Sequence, residues 1–421
     1  MKKIIGVTFL VCAATGFAQD AKPLTPQRLI QLAMDAPAVE RAAQARLQDA
    51  QGALESARRW WVPSTALGVQ SFQREGSLMN AEGVIKTDVS ATNSQWAWEW
   101  RIGGDLAAPW AAVEAAKWNV EATRFEIEAE RDVFVLQCMA AYLAAIGAEQ
   151  DRVLHLESAA TWKQYETELN LLVELGLRPA SDALTAASER HQLESIAEQL
   201  EASRQELMMR LQGVLDLPAD QALQLEWPEW EESVNRDSPS VLPEKQVLDS
   251  RYEGAAAVQR GLSREIWVPE IRFSPTLSGF GADFSTLAPT SQWVGSVMWT
   301  VPLAQLFKGG VRREAAAQLE MQAAKQQAWE MQHQARLDGL SQRIVSLSAA
   351  LVKQQKAASL AEEAASQSWA RENQGILTPM ERVQMERQRL QTRSETLAIE
   401  QSLILLSFEK ALELGATWRT L

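Results

Sequence analysis

The two halves of this chain repeat each other, and the repeated unit is a β-hairpin set between long helical stretches. Trp61-Val62-Pro63 returns as Trp267-Val268-Pro269 and Gly103-Gly104 as Gly309-Gly310, both 206 positions further on. Gly176 matches Gly375 and Gly213 matches Gly415, at displacements of 199 and 202. Self-similarity at such a spacing marks a tandem duplication of one supersecondary unit. An enzyme ordinarily concentrates its chemistry at one site, whereas a twice-repeated helix, hairpin, helix, turn, helix pattern suits a symmetric, elongated object that builds a wall.

The first 18 residues read as a secretory signal: Lys2-Lys3, an apolar run from Ile4 to Ala14, then Gly16-Phe17-Ala18 before Gln19. Val11 ahead of Cys12 fits a lipoprotein box poorly. Removing Lys2 and Lys3 from 41 basic residues, set against 54 acidic ones, leaves a net charge of −15, which excludes a nucleic-acid partner. A single cysteine, Cys138, then remains, so no intrachain disulfide forms and stability must come from packing and assembly. No later apolar run approaches the ~20 residues of a membrane helix. Entry into a membrane would therefore be by strands.

Leu24-Thr25-Pro26 opens the first helix with an N-cap, a proline at the first helical position and a staple between Leu24 and Leu29. Val39, Ala43, Leu47, Ala50, Leu54, Ala57 and Trp61 then step by three and four along one helical face. After Pro63 the period changes to two. Gln95, Ala97, Glu99 and Arg101 alternate with Trp96, Trp98, Trp100 and Ile102; Ile271, Phe273, Pro275 and Leu277 alternate with Arg272, Ser274, Thr276 and Ser278; Trp293, Val297, Trp299 and Val301 alternate with Gln292, Ser296 and Thr300. These runs have about the 9 to 11 residues that a tilted strand needs to cross a bilayer. Ser64 to Gln73 alternates poorly, and the polar stretches 74–92 and 281–290 read as hairpin connections.

Each Gly-Gly pair precedes a long helix without internal proline, over about 109–175 and 311–374. At 1.5 Å per residue each would span on the order of 100 Å, so its stripe (Val113, Ala116, Val120, Ile127, Phe134, Cys138, Ala141, Ala145) must pack against neighbouring helices. Reversals follow at 176–180 and 375–379, where glycine ends one helix and proline starts the next. The chain thus divides into a signal peptide (1–18), a first repeat (19–216, hairpin about 64–102), a proline- and acid-rich linker (217–244) and a second repeat (245–421, hairpin about 269–302).

These features together resemble the TolC-like outer membrane efflux proteins, the outer membrane factors of Gram-negative tripartite export systems. The residues that carry the resemblance are the opening Leu24-Thr25 and Leu29, the Trp-Val-Pro entry to each hairpin, Trp299-Thr300-Val301-Pro302-Leu303 leading to Gly309-Gly310, and the tip segments Gly176 to Arg190 and Gly375 to Leu390. The resemblance covers the whole mature chain. It implies a mainly α fold with membrane β: a long α-helical coiled-coil barrel continuous with a 12-stranded β-barrel, four strands from each chain of a homotrimer. Independently of it, four strands cannot close around a pore, because the smallest membrane barrels have about eight. Self-assembly follows from that alone, and the resemblance selects the trimer. It further implies an exit duct of an efflux or secretion system that conducts substrates passively, partnered by a periplasmic adaptor, an inner membrane pump and outer membrane lipid, with no cofactor and no enzymatic activity. The rival reading is a soluble periplasmic coiled-coil adaptor or scaffold.

Trp96, Trp98, Trp100, Trp293 and Trp299 are candidates for the lipid-facing surface and interfacial girdle; the alternative is one buried face of a soluble sheet. Asp182 and Glu381 sit at equivalent places six residues beyond the tip glycines. The resemblance places Glu381 on a cation-attracting gate, with Gln384 where a second acid is expected. A capping box with Thr378 is the stronger explanation of Glu381, because a helix start accounts for the acid without any lumen. Leu177, Arg178, Ile376 and Leu377 are candidate adaptor contacts, since an exposed apolar loop tip calls for a partner. His155, His191 and His333 lie far apart with no second ligand at metal spacing.

Overall fold

A computed structural model describes residues 24–79, 82–105, 107–218, 225–227, 242–264, 269–281, 284–285, 287–298, 310–373 and 377–415. The signal segment, Trp267-Val268, Trp299, the 299–309 exit motif, Ile376 and most of the 217–244 linker lie outside the described residues. The chain forms two units, one from 1–40, 131–239 and 337–421, the other from 41–130 and 240–336.

The first of these contains α1 (Pro26–Met34), α4 (Ala180–Val214), α7 (Pro379–Glu413) and the tip-side parts of α3 (Ala107–Glu174) and α6 (Gly310–Asn373). Thr25 caps α1 by accepting from the Arg28 amide at 3.3 Å. Leu24 and Leu29, the expected staple, are buried in one cluster with Val135, Met139, Tyr142 and Phe408. The Tyr142 hydroxyl lies 2.6 Å from the Leu24 carbonyl oxygen and 2.5 Å from that of Glu226. It ties the first residues of α1 to the Leu24–Leu225 bridge, and burial pushes its phenol up to about 12. One stretch of α3 is long and apolar enough to cross a membrane by composition, contrary to the sequence expectation. The same helix supplies Val135, Met139, Tyr142 and Ile146 to this cluster, so its apolar content is used in helix packing.

A ring of four charges joins α3 to α4: Arg152 meets Glu149 at 2.7 Å and Glu201 at 3.3 Å, and Arg204 meets the same carboxylates at 3.2 and 2.7 Å. The Arg204 guanidinium, by hydrogen bonding, holds Glu201 down to about 2. A depressed carboxylate contributes stability that is complete above its unfolded value and lost as pH falls through the folded one. Stability should therefore drop between about pH 4.5 and 2, by ~1–2 kcal/mol once solvent screening is allowed for. Glu201→Gln should flatten that part of a pH-dependent unfolding curve, and an unchanged curve would remove the ring from the stability account.

The second unit contains α2 (Pro37–Arg58), a 3-10 turn (Arg59–Trp61), α5 (Pro243–Arg264), the remaining parts of α3 and α6, and the sheet. Ion pairs link α2 to α3 (Arg46–Glu130) and α3 to α5 (Arg251–Glu126; Arg260–Glu114 at 2.8 Å), and Trp329 of α6 donates to Glu244 of α5 at 2.9 Å. Ala43 and Ala50 of the expected α2 stripe are buried, but Trp61 is 61% exposed. The tighter 3-10 turn rotates it off the helical face.

The strands are β1 (Ser64–Met79), β2 (Ile85–Asp105), β3 (Glu270–Gly281) and β4 (Ala288–Met298), in one antiparallel sheet of order β1-β2-β3-β4. Most of the stretch 74–92, expected as a loop, is strand. Pairing of β2 with β3 reaches only to Ser94–Gly281, while the β1–β2 ladder continues to Met79–Ile85. Such a ribbon is held by backbone hydrogen bonds and needs no apolar alternation, which removes the signal.

Candidate functional site

The register decides what the sheet can do. Directly opposed residues on antiparallel strands project to the same face. Leu67 pairs with Trp98 and Val69 with Trp96; Trp98 pairs with Leu277 and Trp96 with Gly279; Pro275 pairs with Trp293 and Ile271 with Val297. Trp96, Trp98, Trp100 and Trp293 thus share one face with Leu67, Val69, Phe273 and Leu277. The opposite face carries Gln70, Gln95, Glu99, Arg101, Arg272, Thr276, Ser278 and Gln292. Leu67, Val69 and Trp293 are 75%, 66% and 71% exposed, so this apolar face is not the covered face of a sandwich within the chain. Trp98 and Trp100 pack with ring centroids 4.9 Å apart. Gly279 leaves room for its partner: a methyl there would overlap the Trp96 indole. Trp299 lies outside the described residues.

At the other candidate region, Gly176 (φ +70°) closes α3, with the Leu177 amide donating to the Leu172 carbonyl at 2.8 Å and the Gly176 amide to that of Val173 at 2.9 Å. Leu177 projects, 68% exposed, and Leu171, Leu175, Leu184 and Met380 add exposed apolar surface that the sequence reading did not single out. Arg178 is engaged by Asp182 at 3.3 Å, so one candidate contact and one candidate gate residue neutralise each other. Thr378 and Glu381 form the capping box: the Thr378 amide donates to the Glu381 carboxylate at 2.9 Å, and the Glu381 amide to the Thr378 hydroxyl at 3.4 Å. The donated amide holds the Glu381 carboxyl below its usual range. Leu377 is half-buried and Ile376 lies outside the described residues.

Behind the tip, Arg190 of α4 holds Glu166 of α3 at 2.8 Å, and its repeat equivalent Arg389 of α7 holds Glu362 of α6 at 3.4 Å. The two arginines are related by the displacement of 199, whereas the counterpart of Glu166 at that displacement is Ala365, so the acid comes from a different place in each copy. Nothing local pointed to Arg382, buried between Trp369 and Tyr165, with its guanidinium carbon 3.6 Å from the Tyr165 ring centroid, or to Glu189 of α4 held by Arg387 of α7. Cys138 is buried, and burial pushes its thiol up to about 11. His155 bonds its own helix at the Asp151 carbonyl, and His333 stacks on Trp329.

The glycine spacing at the ends of α4 and α7 differs from the sequence expectation. Gly415 ends α7 at φ +84°, but Gly213 lies inside α4, and the left-handed residue after α4 is Asp216, at φ 54°. Aspartate tolerates that conformation, so the structural displacement is 199 here as at the tip, and searching for glycines alone misses it.

No protein-family model and no curated protein matches the sequence. Solved structures do. The outer-membrane channel OprN superposes with a TM-score of 0.73 at 16% identity, over 94% of this chain and 90% of that one. The outer membrane protein VceC of Vibrio cholerae gives 0.72 at 16%, over 93% and 96%. The open-state MtrE outer membrane channel of Neisseria gonorrhoeae gives 0.71 at 14%, over 93% and 89%. The fold is that of the TolC-like outer membrane channels, which the sequence resembles.

Proposed function

We propose that this chain is an outer membrane exit duct of a tripartite efflux or secretion system. Three copies close a 12-stranded β-barrel through lipid, and their long helices extend into the periplasm, where an adaptor and an inner membrane pump supply substrate. Conduction is passive, and the chain performs no enzymatic chemistry. The observation that carries this reading is the sheet. Its described tryptophans share one exposed apolar face, its other face is polar, and among the described residues β1 and β4 have no further strand partner at the sheet's two edges. An open sheet with one apolar and one polar face satisfies its backbone in lipid only by closing with other copies of itself around water.

In this reading Trp96, Trp98, Trp100, Trp293 and Trp299 face lipid and its interfaces, Leu177, Arg178, Ile376 and Leu377 meet the adaptor, and Asp182 and Glu381 line the closed periplasmic end. Thr378 keeps Glu381 at its helix start, and Arg178 stays within reach of Asp182.

The test is reconstitution of the purified mature protein into a planar bilayer. Stepwise single-channel currents from a detergent-solubilised trimer are expected. A monomer that needs no detergent and passes no current would overturn the assignment.

A further inference from the structure

A groove of about 480 Å³ lies where α2 meets the start of α3, lined by Arg58, Trp60, Trp110, Val113, Glu114 and Lys117. It adjoins the sheet, since only the 3-10 turn Arg59–Trp61 and two further residues separate Arg58 from Ser64 of β1. Trp110 is 66% exposed, and Glu114 is already engaged by Arg260 at 2.8 Å. The charge offered to a ligand is therefore that of Arg58 and Lys117.

The duplication supplies an internal comparison. At the displacement of 206, the second copy keeps Arg264 for Arg58, Leu319 for Val113 and Glu320 for Glu114, but has Ile266 for Trp60, Ala316 for Trp110 and Ala323 for Lys117. The helical unit is thus built without the two indoles and the lysine, and folding does not explain their presence in the first copy. Indole rings settle at the boundary between hydrocarbon and water, and lysine or arginine beside that boundary attracts lipid phosphate.

The geometry points to this groove as a binding site for one anionic phospholipid headgroup, from the leaflet bordering the helical end of the sheet. Arg58 and Lys117 pair with the phosphate, and the Trp60 and Trp110 rings lie along the glycerol and upper acyl chain. The inference rests on the membrane-spanning reading of the strands. It adds one lipid site per protomer, present in the first repeat and absent from the second.

Native mass spectrometry of the full-length protein released from neutral detergent tests it, with added phosphatidylglycerol or phosphatidylcholine. One phosphatidylglycerol per chain should be retained, and phosphatidylcholine should bind more weakly. Arg58→Ala with Lys117→Ala should weaken phosphatidylglycerol retention about 10- to 30-fold, the effect of two headgroup-facing cations. Trp110→Ala should weaken it for either lipid. Arg210→Ala with Arg393→Ala, which removes the same charge from exposed helical positions elsewhere, should leave it unchanged.

Equal retention by the Arg58/Lys117 variant, or equal loss in the control, overturns the site. Displacement by millimolar glycerol 3-phosphate overturns its assignment to membrane lipid. The same samples in planar bilayers keep the two proposals apart: a wild-type protein that passes no current fails the channel reading, whereas conduction with unaltered lipid retention in the variant fails only this one.

Discussion

Leu277→Arg should abolish insertion of the sheet into membranes, while Ser278→Arg, one residue along the same strand, should leave insertion intact. Leu277 pairs with Trp98 on the tryptophan face, and Ser278 pairs with Ala97 on the polar face. Arginine on the lipid side of a strand near mid-bilayer costs ~2–4 kcal/mol per chain, and assembly multiplies the cost by the number of copies. On the water side the same charge is solvated and alters only the pore. Membrane fractionation and heat-resistant oligomer on a gel read the outcome. If both variants insert alike, or if Ser278→Arg is the one excluded, the assignment of faces is wrong. The comparison also separates a membrane sheet from a soluble one, since a buried soluble face would make Leu277→Arg a loss of folding rather than a loss of insertion with the helices retained.

Arg387→Ala should destabilise the helical part by ~1–2 kcal/mol, because it leaves the buried Glu189 carboxylate without its cation while the half-exposed arginine side admits some water. The Glu189 side chain is only 4% exposed and receives Arg387 Nε at 2.9 Å and Nη2 at 2.5 Å, so the truncation removes donors from a carboxylate that has little other access to water. Glu189→Leu combined with Arg387→Ala should recover most of the loss, since no charge is then left buried without a partner. Thermal unfolding followed by helical circular dichroism measures both variants. A loss under ~1 kcal/mol would put the contact among ordinary surface bridges, as the 55% exposure of Arg387 by itself would suggest.

The elements were legible in the sequence because their causes are local. The change of period after Pro63, the capping signals at Thr25 and Thr378, and the glycine stop at Gly176 each act within a few residues, and α1, α3, α4, α6 and α7 begin or end within a residue or two of where those signals place them. Errors arose where a local cue was ambiguous. Trp61 fits a helical stripe until the helix tightens into a 3-10 turn. The stretch 74–92 looks like a loop because a ribbon held only by its backbone ladder leaves no apolar period.

The pairings were not legible. Alternation says that each strand has two faces and is silent on which face of β2 matches which face of β3, more than 160 residues away. Only the register brings Trp293 to the side that Trp96, Trp98 and Trp100 share by alternation. Likewise Arg382 reads as a surface charge until Trp369 and Tyr165 close over it, and Glu189 reads as a surface charge until Arg387, 198 residues on, takes it. Sequence alone determined the order of helices and hairpins and the presence of two-faced strands, because backbone sterics, capping and periodicity are short-range. Tertiary structure decided which faces align and which charges are spent on each other, because those contacts join segments whose separation along the chain carries no information about their distance in space.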